Sequence, residues 1–179
     1  MERGSRPAKS NNIRFQGTPF VGREKELKAV TAILREPEGR LVTLVGPGGI
    51  GKTRLSLQVA VELIPHYESG AWVVELACID DPALLSQGVA SALGLREVPD
   101  RPLLEALVGF LQPKHILLVL DNCEHLHGAC AQLVHDLLAS CPRVHILVTS
   151  RESLHIAGEV TWPVPPLGLQ DLDNLPPME

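Results

Sequence analysis

Gly46, Pro47, Gly48, Gly49, Ile50, Gly51, Lys52 and Thr53 fit the pattern G-x-x-x-x-G-K-[ST] and directly follow the apolar run Leu41-Val42-Thr43-Leu44-Val45. A strand that feeds a glycine-rich turn and then a helix aims several backbone N–H groups and the positive end of the helix dipole at one point. That arrangement suits a polyphosphate. Glycines serve here because successive N–H groups converge only in conformations that a Cβ obstructs. In such a loop Lys52 reaches the β- and γ-phosphates and the Thr53 hydroxyl ligates Mg²⁺. The loop reads phosphates and is silent about the base.

Two strand ends carry further candidates. Leu117-Leu118-Val119-Leu120 runs into Asp121-Asn122. An acid at the tip of a buried strand beside a phosphate loop sits near the Mg²⁺ that Thr53 holds. The competing role for Asp121 is to cap the turn that follows. Hydrolysis also needs a group that orients or deprotonates the attacking water. Asn122 is not an acid, so turnover is expected to be slow unless Glu124 or a partner supplies that group. The other reading of Glu124 is a helix-start carboxylate favoured by the dipole. Val148-Thr149-Ser150-Arg151 closes a later strand, whose polar tip would sense the γ-phosphate with Arg151 as a clamp, unless Arg151 is a surface cation.

These residues need a scaffold to bring them together. Leu27, Val30, Ile33 and Leu34 share one helical face, closed by Pro37 and Gly39 before the first strand. After the loop, Leu55, Leu57, Val59, Val61 and Leu63 alternate with polar residues as in a strand. A helix is nonetheless expected there, because the loop requires a helix N-terminus and the run exceeds usual strand length before Pro65. Ala71 to Leu76 reads as the second strand. Asp81-Pro82 supplies an N-cap and first-turn proline for a helix with the apolar face Leu84, Leu85, Val89, Ala92 and Leu93, ending near Gly94. Asp100-Arg101-Pro102 opens another, with Leu103, Leu104, Leu107, Val108 and Leu111 inward. The third strand is Ile116 to Leu120. A helix through Leu126, Cys130, Leu133, Val134, Leu137 and Leu138 precedes a fourth strand, Val144 to Val148, and a weaker fifth lies near Val160 to Val164. Strands alternating with helices imply an α/β fold with a mainly parallel five-stranded sheet and right-handed crossovers.

Composition bounds the rest. A chain of 179 residues is most simply one domain with a sizeable core. With 45% hydrophobic residues but only 3% aromatic, that core is aliphatic, as suits a sheet buried on both faces. A net charge of −5 provides no overall positive field, so direct nucleic-acid or membrane binding by this segment is not expected. The apolar run from His115 to Leu120 is far too short to span a bilayer. Cys78, Cys123, Cys130 and Cys141 form no C-x-x-C pair and no signal-like stretch opens the chain, which fits a reducing cytoplasm. Cys123-Glu124-His125-Leu126-His127 lacks the paired spacing of a zinc site and reads instead as a buried thiol with solvated or structural histidines. Residues 1–17, carrying Arg3, Arg6, Lys9 and Arg14 among polar residues, are expected to form a flexible arm. The nucleotide-binding domain is placed at 18–167, and 168–179 reads as a proline-containing tail or the start of a linker.

With these stations set, the chain resembles the STAND class of P-loop NTPases, multidomain signal-transduction ATPases that include the NB-ARC proteins. Phe20-Val21-Gly22-Arg23-Glu24-Lys25-Glu26 is similar to the h-h-G-R-E-x-E motif of that class, which lies beside adenine and ribose. Leu120-Asp121-Asn122-Cys123-Glu124-His125-Leu126, Thr149-Ser150-Arg151-Glu152 and Trp162-Pro163-Val164-Pro165-Pro166-Leu167 look most like bacterial transcriptional regulators of the LuxR and AfsR-like type. The resemblance implies a P-loop three-layer sandwich whose sensor strand lies between the Walker A and Walker B strands. It implies ATP/ADP and Mg²⁺ as ligands. Nucleotide contacts would come from Val21, Gly22, Arg23, the loop with Arg54, Thr149, Arg151 and Pro165, with Thr53 and Asp121 at the metal, Asp121 through water. Lys52, Asp121 and Arg151 take the catalytic roles, with Glu124 as candidate base. Family members continue into helical, winged-helix and sensor domains and form ATP-dependent homo-oligomers. The expected function is a nucleotide switch with slow hydrolysis. The alternatives are an autonomous ATPase or small-molecule phosphotransferase, and a non-catalytic interaction module, against which intact Lys52, Thr53 and Asp121 argue.

Overall fold

A computed structural model describes residues 11–13, 20–95 and 102–166. Its strands are β1 (Leu41–Val45), β2 (Ala71–Glu75), β3 (Ile116–Asp121), β4 (Val144–Ser150) and β5 (Glu159–Pro163). They form one sheet in the order β2-β3-β4-β1-β5, and every pairing is parallel. The expected insertion of the sensor strand β4 between β1 and β3 is thus observed. The sheet is not merely mainly parallel: β5 also runs parallel, beside β1.

The described helices are α1 (Glu24–Arg35), α2 (Lys52–Leu63), α3 (Leu85–Ala92), α4 (Leu103–Leu111) and α5 (His127–Ser140). The period-two geometry of a strand divides its side chains between the two layers they form. On β3, Leu117 and Val119 pack with α1 and α2, whereas Ile116, Leu118 and Leu120 pack with α3, α4 and α5. Both faces of the central strands are therefore dry, which explains the unbroken apolar run of β3. The result is a three-layer α/β/α sandwich.

The helix α2 resolves the misleading alternation. Leu55, Val59 and Leu63, one helical turn apart, are fully buried, while Leu57 and Val61 are only partly covered. At its end, fully buried Tyr67 donates its hydroxyl to Leu34 O at 2.6 Å and ties α2 to α1.

Several boundaries shift for local reasons. Asp81 accepts from Ala83 N at 2.9 Å, but it caps a short 3-10 turn, Pro82–Leu84, ahead of α3. Leu84 consequently leaves the buried face and is 48% exposed. Leu76 ends β2 by opening another 3-10 turn, and Cys123–Leu126 forms a third before α5. β4 runs on to Ser150, so Thr149 and Ser150 are strand residues and Arg151 is the first residue beyond.

Within the segment expected as an arm, Asn11 makes a parallel bridge to Ala71 on the β2 edge. The Asn12 amide donates to Val73 O and accepts from Val73 N, each at 2.8 Å, so a side chain satisfies the exposed edge as a neighbouring strand would. Residues 1–10 and 14–17 of the arm, the domain limits at Thr18 and Leu167, the Asp100-Arg101 helix start and the tail 168–179 lie outside the described residues. Among the described residues, no helix is long and apolar enough to cross a membrane.

Candidate nucleotide site

The C-terminal ends of β1, β4 and β3 lie side by side, and each delivers one part of the site. Val45 ends β1 in register with Ser150 of β4, and Leu120, just before Asp121, pairs with Val148. From β1 the chain enters the loop, where Gly49 and Gly51 have φ of +79° and +92°. Those are left-handed conformations that favour glycine. A Cβ built at Gly49 would meet no atom within 4 Å, so conformation rather than crowding demands glycine there. Gly51 immediately precedes α2, which opens with Lys52 and Thr53.

Asp121 is the hub of the polar cluster. Thr53 Oγ1 donates to its carboxylate, at 2.9 Å from Oδ1 and 3.0 Å from Oδ2. Thr149 Oγ1 donates to Oδ1 at 2.6 Å and itself accepts from Asn122 N at 2.8 Å. One hydroxyl from β4 thus fixes both the acid and the backbone that follows it. Lys52, only 7% exposed, donates from Nζ to Gly46 O at 2.7 Å and Pro47 O at 2.9 Å, which holds the ammonium against the loop.

Glu124 and Arg151 face each other across the rim. Arg151 Nε is 3.5 Å from Glu124 Oε1, while Glu124 Oε2 is buried without a hydrogen-bond partner. Arg151 Nη2 lies 4.0 Å from where a Cβ on Gly48 would stand, so the guanidinium already borders the loop. Gly48, Gly49, Gly51, Lys52, Thr53 and Arg54 line one side of a cleft of about 350 Å³, and Asn122, Glu124 and Thr149 the other.

A second cleft of about 250 Å³ is lined by Gly22 to Glu26 with Pro165 and Pro166. Arg23 joins the two. Its guanidinium, in a residue 4% exposed, donates from Nη2 to Ile50 O at 2.7 Å and Pro165 O at 2.8 Å, and Nη1 lies 3.7 Å from Glu26 Oε1. Val21 is 59% exposed and does not line this cleft. Gly46 is closed over by the Ile50 side chain.

The structure tests whether a magnesium nucleotide fits these residues. A hydroxyl and a carboxylate in contact, Thr53 and Asp121, are a hard-oxygen donor set suited to Mg²⁺. The cleft beside them holds an ammonium, an exposed guanidinium and a glycine loop, as a polyphosphate requires. The residues fit. The neighbouring Cys123-to-His127 run diverges instead. Cys123 is buried and its thiol is held well above the usual range, first by a hydrogen bond with Cys130 and then by burial and the nearby Asp121 and Glu124 charges. Nε2 of His125 contacts Ile79 O at 2.9 Å and Nε2 of His127 contacts Ser153 O at 2.8 Å.

Three features of the site are not legible in local sequence spacing. Asn122 has φ of +69°, a conformation in which Asn is among the few tolerated side chains. Thr149 supports Asp121 and the Asn122 N–H, and Arg23 clasps two distant backbone segments. The Asn after Asp121 is the local clue to the first; the others depend on which distant segments become neighbours.

A parallel sheet whose three adjacent tips converge on a glycine-rich loop defines a P-loop nucleoside-triphosphatase fold. Residues 19–149 match the family described as AAA ATPase domain, and the chain belongs to that family. An uncharacterised protein of Mycobacterium tuberculosis is 46% identical over 152 residues, covering 85% of this chain and 38% of the relative. A protein of the same species named "Putative HTH-type transcriptional regulator" is 45% identical over 134 residues, 75% of this chain and 15% of its own length. The chain therefore spans well under half of these relatives. In fold it is similar to a Pyrococcus horikoshii STAND protein with a tetratricopeptide-repeat sensor, with a TM-score of 0.58 and 16% identity over 89% of this chain and 26% of that one.

Proposed function

We propose that this chain is the ATP/ADP-binding switch domain of a cytoplasmic, multidomain signalling ATPase, of the kind that regulates transcription in bacteria. The observation that carries the reading is the convergence of Lys52, Thr53, Asp121 and Thr149 at the tips of three adjacent strands. The regulator-named relative supports the transcriptional context, and its much greater length supports further domains in the same protein. The domain would occupy 18–167, with 1–17 as an arm and 168–179 leading toward helical, winged-helix and sensor units. ATP-dependent self-association is part of this reading.

Thr53 and Asp121 would hold Mg²⁺, and Lys52 would receive the β- and γ-phosphates. Bound Mg²⁺ supplies neutralisation of the charge shared among phosphate oxygens. The chain's own residues do the remainder. Thr149 keeps the Asp121 carboxylate oriented, and the loop amides with the α2 dipole bind phosphate oxygens. Gly22 to Glu26 and Pro165, which line the second cleft, would enclose the base and ribose, with Arg23 clasping the two segments and exposed Val21 preceding them. Arg151 would meet the γ-phosphate. Glu124 is the candidate to accept a proton from the attacking water, and the lack of an acid at Asn122 fits slow turnover and hence a timed switch.

Steady-state phosphate release tests this directly. Turnover far below the enzyme median of about 10 s⁻¹, abolished by Asp121→Asn, is expected. Turnover at or above that value by this chain alone would favour an autonomous ATPase.

A further inference from the structure

The Arg151–Glu124 contact has features that its separate roles do not explain. We infer that it is an exchange contact: Arg151 holds Glu124 when ADP is bound and leaves it for the γ-phosphate of ATP, so Glu124 is released only in the ATP-bound form. The inference rests on the nucleotide-binding reading above and adds to it the partner that Arg151 must leave, Glu124.

The pair is placed to exchange. Its Nε–Oε1 separation of 3.5 Å and the 69% exposure of the Arg151 side chain describe a weak, screened ion pair. The backbone around it is fixed. Arg151 follows fully buried Ser150 at the end of a strand, where Thr149 is hydrogen-bonded on two sides, and Glu124 sits in the 3-10 turn just beyond the left-handed Asn122. Only side chains need to move, and Arg151 Nη2 already lies 4.0 Å from the Cβ position of Gly48 on the phosphate loop.

Two anions then compete for one guanidinium. A γ-phosphate offers three oxygens and more than one charge, which a planar fork binds in bidentate fashion. Glu124 offers one oxygen to Arg151 and keeps the other buried without a partner. The phosphate is the stronger competitor, and ADP lacks it. Breaking the pair therefore reduces affinity for ATP and leaves that for ADP unchanged. Once released, Glu124 faces the cleft it lines, beside Thr149 and Asn122.

A double-mutant cycle tests the exchange. Dissociation constants for ADP and for the non-hydrolysable analogue AMP-PNP, each with Mg²⁺, would be measured calorimetrically for the parent, Glu124→Gln, Arg151→Gln and the double variant. Glu124→Gln is expected to tighten AMP-PNP about two- to fivefold, the range of an exposed ion pair, with ADP unchanged. In the Arg151→Gln background that gain should vanish. A gain of equal or greater size without Arg151 would show plain repulsion between Glu124 and phosphate and overturn the exchange, as would no gain in either background. Glu124→Ala also removes the charge and gives the same reading if Glu124→Gln fails to fold, which circular dichroism reveals. Failure of the parent to bind either nucleotide would remove the nucleotide reading and the exchange together, whereas binding by the parent with no such coupling removes the exchange alone.

Discussion

Asn122 shows how one residue can answer to backbone geometry more than to chemistry. Its φ of +69° lets the chain turn sharply out of β3 while its N–H reaches Thr149, and Glu124 is thereby delivered to the cleft. A β-branched side chain is disfavoured in that region by about 1–2 kcal/mol. Asn122→Val should lower unfolding stability by that amount in urea titrations, and Asn122→Gly should be tolerated. Thr149 carries a larger burden, because its hydroxyl serves a carboxylate and an amide at once. Thr149→Val should cost about 1–3 kcal/mol of stability through the unsatisfied groups left behind, and it should also weaken the Mg²⁺-dependent part of nucleotide binding.

At the scale of elements, α2 joins the core to the site: its first turn presents Lys52 and Thr53, and its buried stripe anchors the helix on the sheet. Leu55→Ala removes fully buried volume two residues from Thr53. A loss of about 2–5 kcal/mol is expected, measurable as a lower denaturation midpoint. The elements also explain what the sequence made legible. The loop and Asp121 could be read because a fixed local spacing and a strand end suffice to place them. The helical form of α2 could be read only by letting the loop override a strand-like alternation. The clasp of Arg23 on Pro165 spans 142 positions, and the Thr149 contact with Asn122 spans 27. Such contacts follow from strand order, which periodicity does not encode. Leu84 leaves the expected helical face for a different reason: a proline-led 3-10 turn, rather than the α-helix itself, occupies the capped start.

For the molecule as a whole, the end of the sheet where β4 begins holds a titratable cluster. His145, largely buried, has its ring near those of Tyr67 and His115, and its Nδ1 has no hydrogen-bond partner. Its pKa is lowered, first by burial and further by the His115 and Arg40 charges, against contacts with the backbone at Glu36 and Arg143 that raise it. The folded state therefore resists a proton that the unfolded chain accepts near the ordinary histidine value of about 6.5. The His145 contribution to stability is complete above that pH and declines as pH falls from there toward the lowered folded value. Denaturation midpoints at pH 7.5 and 5.5 should differ more for the parent than for His145→Leu, and equal differences would exclude the histidine.

On the proposed function, a magnesium nucleotide occupies the cleft between the loop and Asp121. Calorimetric titration of the purified chain with ATP and with ADP in Mg²⁺, alongside Lys52→Ala, tests it most directly. Saturable binding of both nucleotides by the parent and marked weakening in the variant, whose fold is retained, are expected. Binding of equal strength in both proteins, or none in the parent, would contradict it.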